Sequence, residues 1–230
     1  MKKRGKIAGI IFMFVVLSIT LIAVPCCTVD TDTNNTEVLG PVEIREYEGV
    51  DLSSINAFRE NSIKGPQEVD IESYMLSITG SVAAPKGYTY DEVISKHQNY
   101  EKVVTLHCVE GWSVTILWEG ILVRDLLEEA KPLANAKVVI LHAYDGYTTS
   151  LPIDYIMSND ILMAYEMNGV TLPPERGFPF QLVAESKWGY KWIKWITEIE
   201  LSDDVDYRGY WESRGYSNTA DVDKSFFGDR

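Results

Sequence analysis

The sequence predicts an α+β domain with mixed sheets that are rich in strands and carry few helices. Short apolar runs with two-residue alternation recur along the chain, whereas only one segment has a clear helical period. The regular strand–helix alternation of a doubly wound parallel sheet is missing, and no GxGxxG or GxxxxGK[ST] phosphate loop occurs. These three observations favour a β-rich fold over a nucleotide-binding one.

The N-terminal segment has the pattern of a targeting sequence. Four basic residues fall within the first six positions, and residues 7–29 contain no charged side chain. This pattern predicts an export signal or a membrane anchor over residues 1–29, with the domain on the extracytoplasmic side. The start has Lys3-Arg4 in place of a twin-arginine pair, so an anchor that keeps the domain inside is the alternative. The pair Cys26–Cys27 leaves lipidation after signal cleavage open as an alternative.

The rest of the chain is acidic. The sequence has 21 Lys and Arg against 34 Asp and Glu, a formal net charge of −13. Such a surface repels phosphates, which excludes nucleic acid as a partner. Residues 30–50 are polar and acidic and predict a flexible tether, so we expect the folded domain to span residues 51–230.

Within that domain, each expected element follows from a local pattern. Residues 121–130 predict a helix, because Val123, Leu126 and Ala130 recur at helical spacing and a proline follows. Residues 160–172 predict a hairpin that turns at Asn168-Gly169. The remaining apolar or alternating runs predict strands over residues 73–82, 103–107, 114–118, 137–143, 178–184 and 193–201.

Cys108 is the cysteine that lies outside the N-terminal region, where the strand 103–107 ends and a glycine-containing turn begins. A cysteine in an apolar run is ordinarily a packing residue, but this position also suits a reactive thiol or a ligand for a soft metal. Adjacent strand residues point to opposite faces, so His107 is a poor base for a Cys–His hydrolase. The histidines lack zinc-ligand spacing, and no GxSxG motif occurs.

The segment "TLHCVEGWSVTILWEGI" resembles the cysteine segment of the molybdopterin-dependent oxidoreductases of the sulfite oxidase family. It is most similar to the catalytic subunits of bacterial periplasmic methionine-sulfoxide reductases. The resemblance continues in "MAYEMNGVTLPPERGFPFQLVAESKWGYKWIKWITEIEL", where Met-Asn-Gly, Leu-Pro, Gly-x-Pro and Gly-Tyr-Lys-x-x-Lys-Trp follow the order of the family. "FRENSIKGPQEVDIESYMLSITGSV" resembles the opening of the family's domain and "GYWESRGYS" its close, so the similarity spans roughly residues 52–222.

The resemblance implies a sulfite oxidase type of molybdopterin-binding domain with one molybdenum–molybdopterin cofactor that carries a single pterin. The Cys108 thiolate is then the metal ligand, and Glu110 acts beside the metal by tuning a bound oxygen or delivering a proton. Arg176, Lys191 and Lys194 suit the terminal phosphate of the pterin. The other residues implied to contact the cofactor are Asn61, Thr148, Thr149, Gly189, Trp192 and Ile193.

Two departures from the family bear on the substrate. The sulfite oxidases carry an arginine-rich stretch after the cysteine, where this chain has Val109-Glu110-Gly111-Trp112. The resemblance therefore implies two-electron oxygen-atom transfer from a neutral S-oxide or N-oxide, small or protein-bound, with a membrane electron donor. Gln181 stands where many members have an arginine. A non-catalytic binding module and a sulfite-oxidising enzyme remain the alternatives, and a Cys–His hydrolase whose histidine is distant in the sequence is a third.

Overall fold

The structure, a computed structural model, describes residues 42–228. The strands are β1 (Glu46–Tyr47), β2 (Val50–Asp51), β3 (Leu76–Gly80), β4 (Lys86–Tyr88), β5 (Asn99–His107), β6 (Ser113–Leu122), β7 (Val138–Ala143), β8 (Thr148–Pro152), β9 (Leu162–Met167), β10 (Val170–Thr171), β11 (Gln181–Val183) and β12 (Ile196–Ser202). The α-helices are α1 (Tyr90–Lys96), α2 (Val123–Ala130) and α3 (Ile153–Ser158), and 3-10 turns occupy Pro174–Arg176, Gly189–Lys191 and Glu212–Arg214.

Two five-stranded sheets and the two-stranded β1–β2 sheet make up the described domain. In the first, β5 pairs with β6 and β6 with β9, and β10 and β11 also pair with β9, all antiparallel. In the second, the order is β4-β3-β12-β7-β8, and only the β3–β12 pair of the described strands is parallel. The expectation of a mixed, β-rich α+β domain with few helices is confirmed.

A single apolar cluster unites both sheets with α2. Trp118 on β6 and Ile199 on β12 are fully buried in it, and the predicted apolar face of α2 packs there through Val123, Leu126 and Leu127. Burial of apolar side chains that come from distant parts of the sequence is the main favourable contribution to such a fold. The core therefore provides a rigid base for the loops at the strand ends.

Most strands have other bounds than the sequence-based expectation, and two of the differences have a clear local cause. The helix expected over residues 121–130 begins at Val123, because Ile121 and Leu122 extend β6 and pair with β9. The strand expected over residues 193–201 begins at Ile196, because Trp195 adopts a left-handed φ of +53° that interrupts extended backbone. The hairpin turn at residues 168–169 is confirmed.

The N-terminal expectations fall largely outside the described range. Residues 1–29 and 30–41 are among those that the structure does not describe. Residues 42–50 belong to the segment assigned to a tether, yet β1 pairs with β2 there, and the Glu43 carboxylate accepts a hydrogen bond from Asn168 Nδ2 at 2.9 Å. No helix of residues 42–228 is long and apolar enough to cross a membrane.

Candidate functional site

Cys108 lies one residue beyond β5, in the loop that connects β5 to β6. Its N–H donates to the Trp112 carbonyl at 2.9 Å, and its own carbonyl accepts from the Gly111 N–H at 3.1 Å. Gly111 has a φ of +89°, which glycine adopts without steric cost. The tight loop leaves the Cys108 thiol in the wall of a cavity of about 300 Å³, only 8% exposed.

The cavity wall combines aromatic side chains with a balanced set of charges. Strands and loops distant in sequence contribute the aromatic rings, which are those of Phe58, Trp112, Tyr147, Tyr190, Trp192, Trp195, Trp211 and Tyr216. Three acidic and three basic residues complete the charged part of the wall, namely Glu110, Asp145, Glu175, Arg59, Arg176 and Lys194. An apolar cavity with a few converging polar groups is the usual form of a cofactor or substrate site.

Asn61 and Glu110 meet beside the thiol. Asn61 Nδ2 lies 3.7 Å from Cys108 Sγ and 3.3 Å from Glu110 Oε2, and Trp112 Nε1 donates to the same Glu110 oxygen at 3.0 Å. Burial raises the pKa of Cys108, and the hydrogen bond from Asn61 partly opposes that effect. The structure thus brings together the sequence-predicted metal ligand and two of its predicted neighbours.

Glu110 is held in its ionised form. The hydrogen bonds from Trp112 and then Asn61 lower the pKa of this carboxyl. A general acid works best with a pKa near the operating pH, so a lowered pKa favours the acceptor form of this side chain. In this arrangement Glu110 joins the loop after Cys108 to the segment that carries Asn61, and its role in proton delivery stays a prediction.

Two of the three predicted phosphate-binding cations line the cavity, and both already have internal partners. Arg176 donates to the backbone carbonyls of Ile55 and Phe58, and Lys194 forms an ion pair with Glu60 at 2.5 Å. The third, Lys191, does not line the cavity. Its ammonium is fully buried and pairs with Glu212 at 2.5 Å.

The remaining predicted residues divide into two groups. Gly189, Trp192 and Ile193 line the cavity, and a Cβ on Gly189 would lie 3.2 Å from the His107 carbonyl oxygen, so its backbone packs closely behind Cys108. Thr148 and Thr149 lie on β8 outside the lining. Thr149 is fully buried and donates to Glu212.

Ser62 and Asp145 line the cavity, although sequence reasoning did not single them out. Asp145 Oδ1 accepts the Tyr147 N–H at 2.9 Å, whereas Asp145 Oδ2 and Ser62 Oγ are buried without a hydrogen-bond partner in the described structure. Buried polar atoms are nearly always paired, so these two fit a ligand that supplies hydrogen bonds. The sequence signal for Asp145 was only the turn dipeptide Asp145-Gly146.

The histidine side chains do not contribute to this cavity. None of the three histidines, all within residues 42–228, lines the cavity. His97 faces Glu129, and His142 Nε2 lies 2.9 Å from Glu200. Within the same range, no group of three or more His, Cys, Asp or Glu side chains is arranged to hold a metal. A metal at Cys108 would therefore need most of its ligands from a cofactor.

Residues 63–211, more than half of the chain, match the family described as oxidoreductase molybdopterin binding domain. The chain belongs to this molybdopterin-binding family. Membership places it with the sulfite oxidase type of oxidoreductases, as the sequence motifs predicted. A closer relation to methionine-sulfoxide reductases stays a prediction.

One protein sequence and one solved structure are similar to this chain. The uncharacterized oxidoreductase YuiH of Bacillus subtilis (strain 168) is 34% identical over 157 residues, which cover 68% of this chain and 78% of YuiH. The crystal structure of the sulfane dehydrogenase SoxCD from Paracoccus pantotrophus superposes with a TM-score of 0.62 at 22% identity. That match covers 70% of this chain and 44% of the SoxCD chain, and it shows the shared fold alone.

Membership of the molybdopterin-binding family implies a molybdenum cofactor, and the residues of this cavity fit one. A thiolate is a suitable ligand for a soft metal, and the Cys108 thiol is the cysteine sulfur in the described wall. The unpartnered Ser62 and Asp145 atoms offer hydrogen bonds to a polar heterocycle, and the aromatic rings offer apolar contact. The cavity therefore offers a thiol, unpaired polar atoms and aromatic rings to such a cofactor.

Proposed function

We propose that this protein is a molybdenum cofactor-dependent oxidoreductase that removes an oxygen atom from an S-oxide or N-oxide. The observation that carries the proposal is the Cys108 thiol in the wall of an aromatic cavity whose buried cations already have partners inside the protein. The family match supports the oxidoreductase class, and the choice of an oxide as the substrate is our proposal.

In this proposal the Cys108 thiolate holds the molybdenum of a single-pterin cofactor. Asn61, Gly189, Trp192 and Ile193 surround the cofactor, and Asp145 accepts hydrogen bonds from it. When bound, the cofactor supplies two-electron oxygen-atom transfer. The net reaction consumes one oxide, two electrons and two protons, and it releases the deoxygenated product and water.

The charges of the wall favour a neutral substrate. Entry of sulfite would bring a second strong anion near Glu110. The buried Arg176 and Lys194 would have to leave their carbonyl and carboxylate partners to compensate it, which leaves the exposed Arg59 as the remaining cation of the described wall. An S-oxide or N-oxide needs only a hydrogen-bond donor for its oxygen and apolar contact for its substituents. Asn61 and the aromatic rings, among them Phe58 and Trp112, provide both.

Metal analysis and a substrate panel test the proposal. Protein made in a molybdenum-replete host should contain close to stoichiometric molybdenum and reduce sulfoxides or N-oxides faster than it oxidises sulfite. Cys108→Ala should abolish reduction and change the absorption spectrum of the metal while the fold is retained. His107→Ala is the matched control, because His107 is adjacent in sequence and lies outside the cavity lining.

The other outcomes of that panel identify the alternatives. Protein without molybdenum would refute the cofactor assignment. Faster turnover of sulfite than of any oxide would indicate a sulfite-oxidising enzyme instead. Bound cofactor without turnover of any substrate would indicate a non-catalytic module, an alternative raised by Gln181 in the cavity wall.

We further propose that a membrane carrier donates the electrons and that residues 1–29 export the domain or anchor it to the membrane. The absence of charge over residues 7–29 after a basic start supports this placement. Deletion of residues 1–29 should move the protein from the membrane fraction to the soluble fraction. Oxide reduction with an artificial electron donor should then be unchanged, whereas reduction driven by membranes should be lost.

A further inference from the structure

We infer that Arg176 is a positioning residue, which holds the segment 55–61 in place so that Asn61 faces the Cys108 sulfur. The inference deepens the proposed function, because it rests on Cys108 being the cofactor ligand. The resemblance to the family suggested a phosphate contact for Arg176. The geometry points instead to a contact between Arg176 and the protein's own backbone.

The guanidinium group of Arg176 is directed at three backbone carbonyls of one segment. Nε donates to Ile55 O at 2.9 Å, Nη2 donates to Phe58 O at 2.8 Å, and Nη1 lies 3.4 Å from Arg59 O. The guanidinium carbon also lies 3.9 Å from the centre of the Phe58 ring, within cation–π distance. All three nitrogen atoms of the side chain are thus directed at residues 55–59.

This segment needs an external anchor. Residues 55–61 belong to none of the helices or strands, so neither a ladder nor a helix fixes their backbone. Arg176 is only 6% exposed, which makes its hydrogen bonds to carbonyls stronger than they would be in water. Its planar fork also fixes the relative orientation of the three peptide groups, which a single ammonium group cannot do.

Asn61 follows directly after the anchored residues. Its amide nitrogen lies 3.7 Å from Cys108 Sγ, and this contact depends on where the backbone of residues 58–60 places it. Lys194 provides a second attachment, because its ion pair with Glu60 fixes the residue immediately before Asn61. Two of the three cations that line the cavity therefore support the same segment, and Arg176 supplies its directional contacts.

Local hydrogen exchange tests the anchoring without any need for cofactor. Hydrogen bonds with a charged donor are strong enough that losing one or two changes a local opening equilibrium by about tenfold or more. Within residues 55–61, the Ile55 N–H donates to Glu43 at 2.6 Å and the Ala57 N–H donates to the Ser54 carbonyl at 2.9 Å, so these two amides report opening of the segment. Arg176→Met should therefore speed their exchange by at least about tenfold while β12 exchanges as before. Arg176→Lys, which keeps the charge and loses the fork, should give a smaller increase in the same peptides.

Arg124→Lys is the matched control, because Arg124 forms an ion pair with Asp160 at 2.8 Å on the surface, away from the cavity lining. It should leave the exchange of residues 55–61 unchanged. If the amides of this segment exchange in Arg176→Lys at the wild-type rate, the inference is overturned. An equal increase throughout the domain in that variant would also overturn it, since a general structural role would destabilise all regions together.

Molybdenum retention after dialysis then separates positioning from direct cofactor binding. If Arg176 acts through Asn61, Arg176→Lys and Asn61→Ala should each reduce retention several-fold, and the double variant should be no worse than Asn61→Ala alone. If the two losses of retention multiply in the double variant, Arg176 contacts the cofactor itself and the inference is overturned. A wild-type protein without molybdenum would refute the proposed function, whereas the exchange result would still decide whether Arg176 anchors the segment.

Discussion

The buried pair of Lys191 and Glu212 gives the sharpest prediction about stability. Both side chains are 0% exposed. Lys191 Nζ donates to Glu212 Oε1 at 2.5 Å and to the Ser150 carbonyl at 2.8 Å, and Thr149 Oγ1 donates to the same carboxylate oxygen at 2.6 Å. Glu212 Oε2 is buried with no partner in the described structure. Removing either charge therefore leaves the other buried with too few partners.

The magnitude follows from that geometry. Loss of one member of a fully buried ion pair costs about 3–5 kcal/mol, because the remaining charge cannot recover its hydration. For a domain of this size, one kcal/mol corresponds to a change in Tm of roughly 2–4 °C. We therefore expect Lys191→Met and Glu212→Gln each to lower Tm by roughly 6–20 °C. The double variant should lose less unfolding free energy than the sum of the two single losses, and the difference between them should be roughly 1–3 kcal/mol.

Denaturant unfolding followed by circular dichroism measures these free energies. The prediction is wrong if the unfolding free energy of either single variant lies within about 1 kcal/mol of the wild-type value. It is also wrong if the two single losses add in the double variant. Molybdenum content is a useful second measurement. A loss of metal in Lys191→Met that does not occur in Glu212→Gln would indicate that Lys191 also meets the cofactor, as its sequence motif predicted.

Three further predictions concern the scaffold. Gly120→Ala should destabilise the domain by several kcal/mol in denaturant unfolding, because a Cβ there would lie 2.3 Å from the Met163 carbonyl oxygen, and wild-type stability would contradict that contact. Thr89→Ala should cost roughly 0.5–2 kcal/mol, because Thr89 and the third residue of α1 form a reciprocal capping box, and Thr89→Ser should restore most of the loss. The hydrogen bond from Lys187 lowers the pKa of Asp221, so its stabilising effect is present above the unfolded pKa near 3.8 and is lost as pH falls through the lower folded value. Between pH 6 and pH 3 the Tm of Asp221→Asn should therefore fall less than that of the wild type, and parallel curves would refute this linkage.

Much of the site's position was predictable from local sequence. The run 103–107 predicted a strand, and the glycine three residues after Cys108 predicted a turn, so the thiol was expected at a strand end beside a loop. The two-residue period also separated Cys108 from His107, and only Cys108 lines the cavity. These predictions hold because strand alternation and turn chemistry depend on neighbouring residues alone.

Other features have a weaker local signal in the sequence. The helix α1 begins with a Thr-x-x-Glu capping box at Thr89, a recognised start signal for a helix, although its seven residues bury only Val93. With one buried position, the helical period is too weak to identify the element. Asp145 had a signal only for a turn, and its unpartnered oxygen is evident only once the cavity is assembled.

What the sequence by itself determined is the class of fold, the family and the cysteine at its centre, since these follow from periodicity and from short motifs in order. What the tertiary structure decided is the partner of each charge. From the sequence, Arg176, Lys191 and Lys194 were all predicted to bind the terminal phosphate of the pterin, with the segment Gly189–Lys194 as the favoured one. In the structure they bind, respectively, carbonyls of residues 55–59, Glu212, and Glu60, which lies 134 positions from Lys194. Burial makes an unpaired charge costly, so the partner that the fold supplies determines which cations remain available to a ligand.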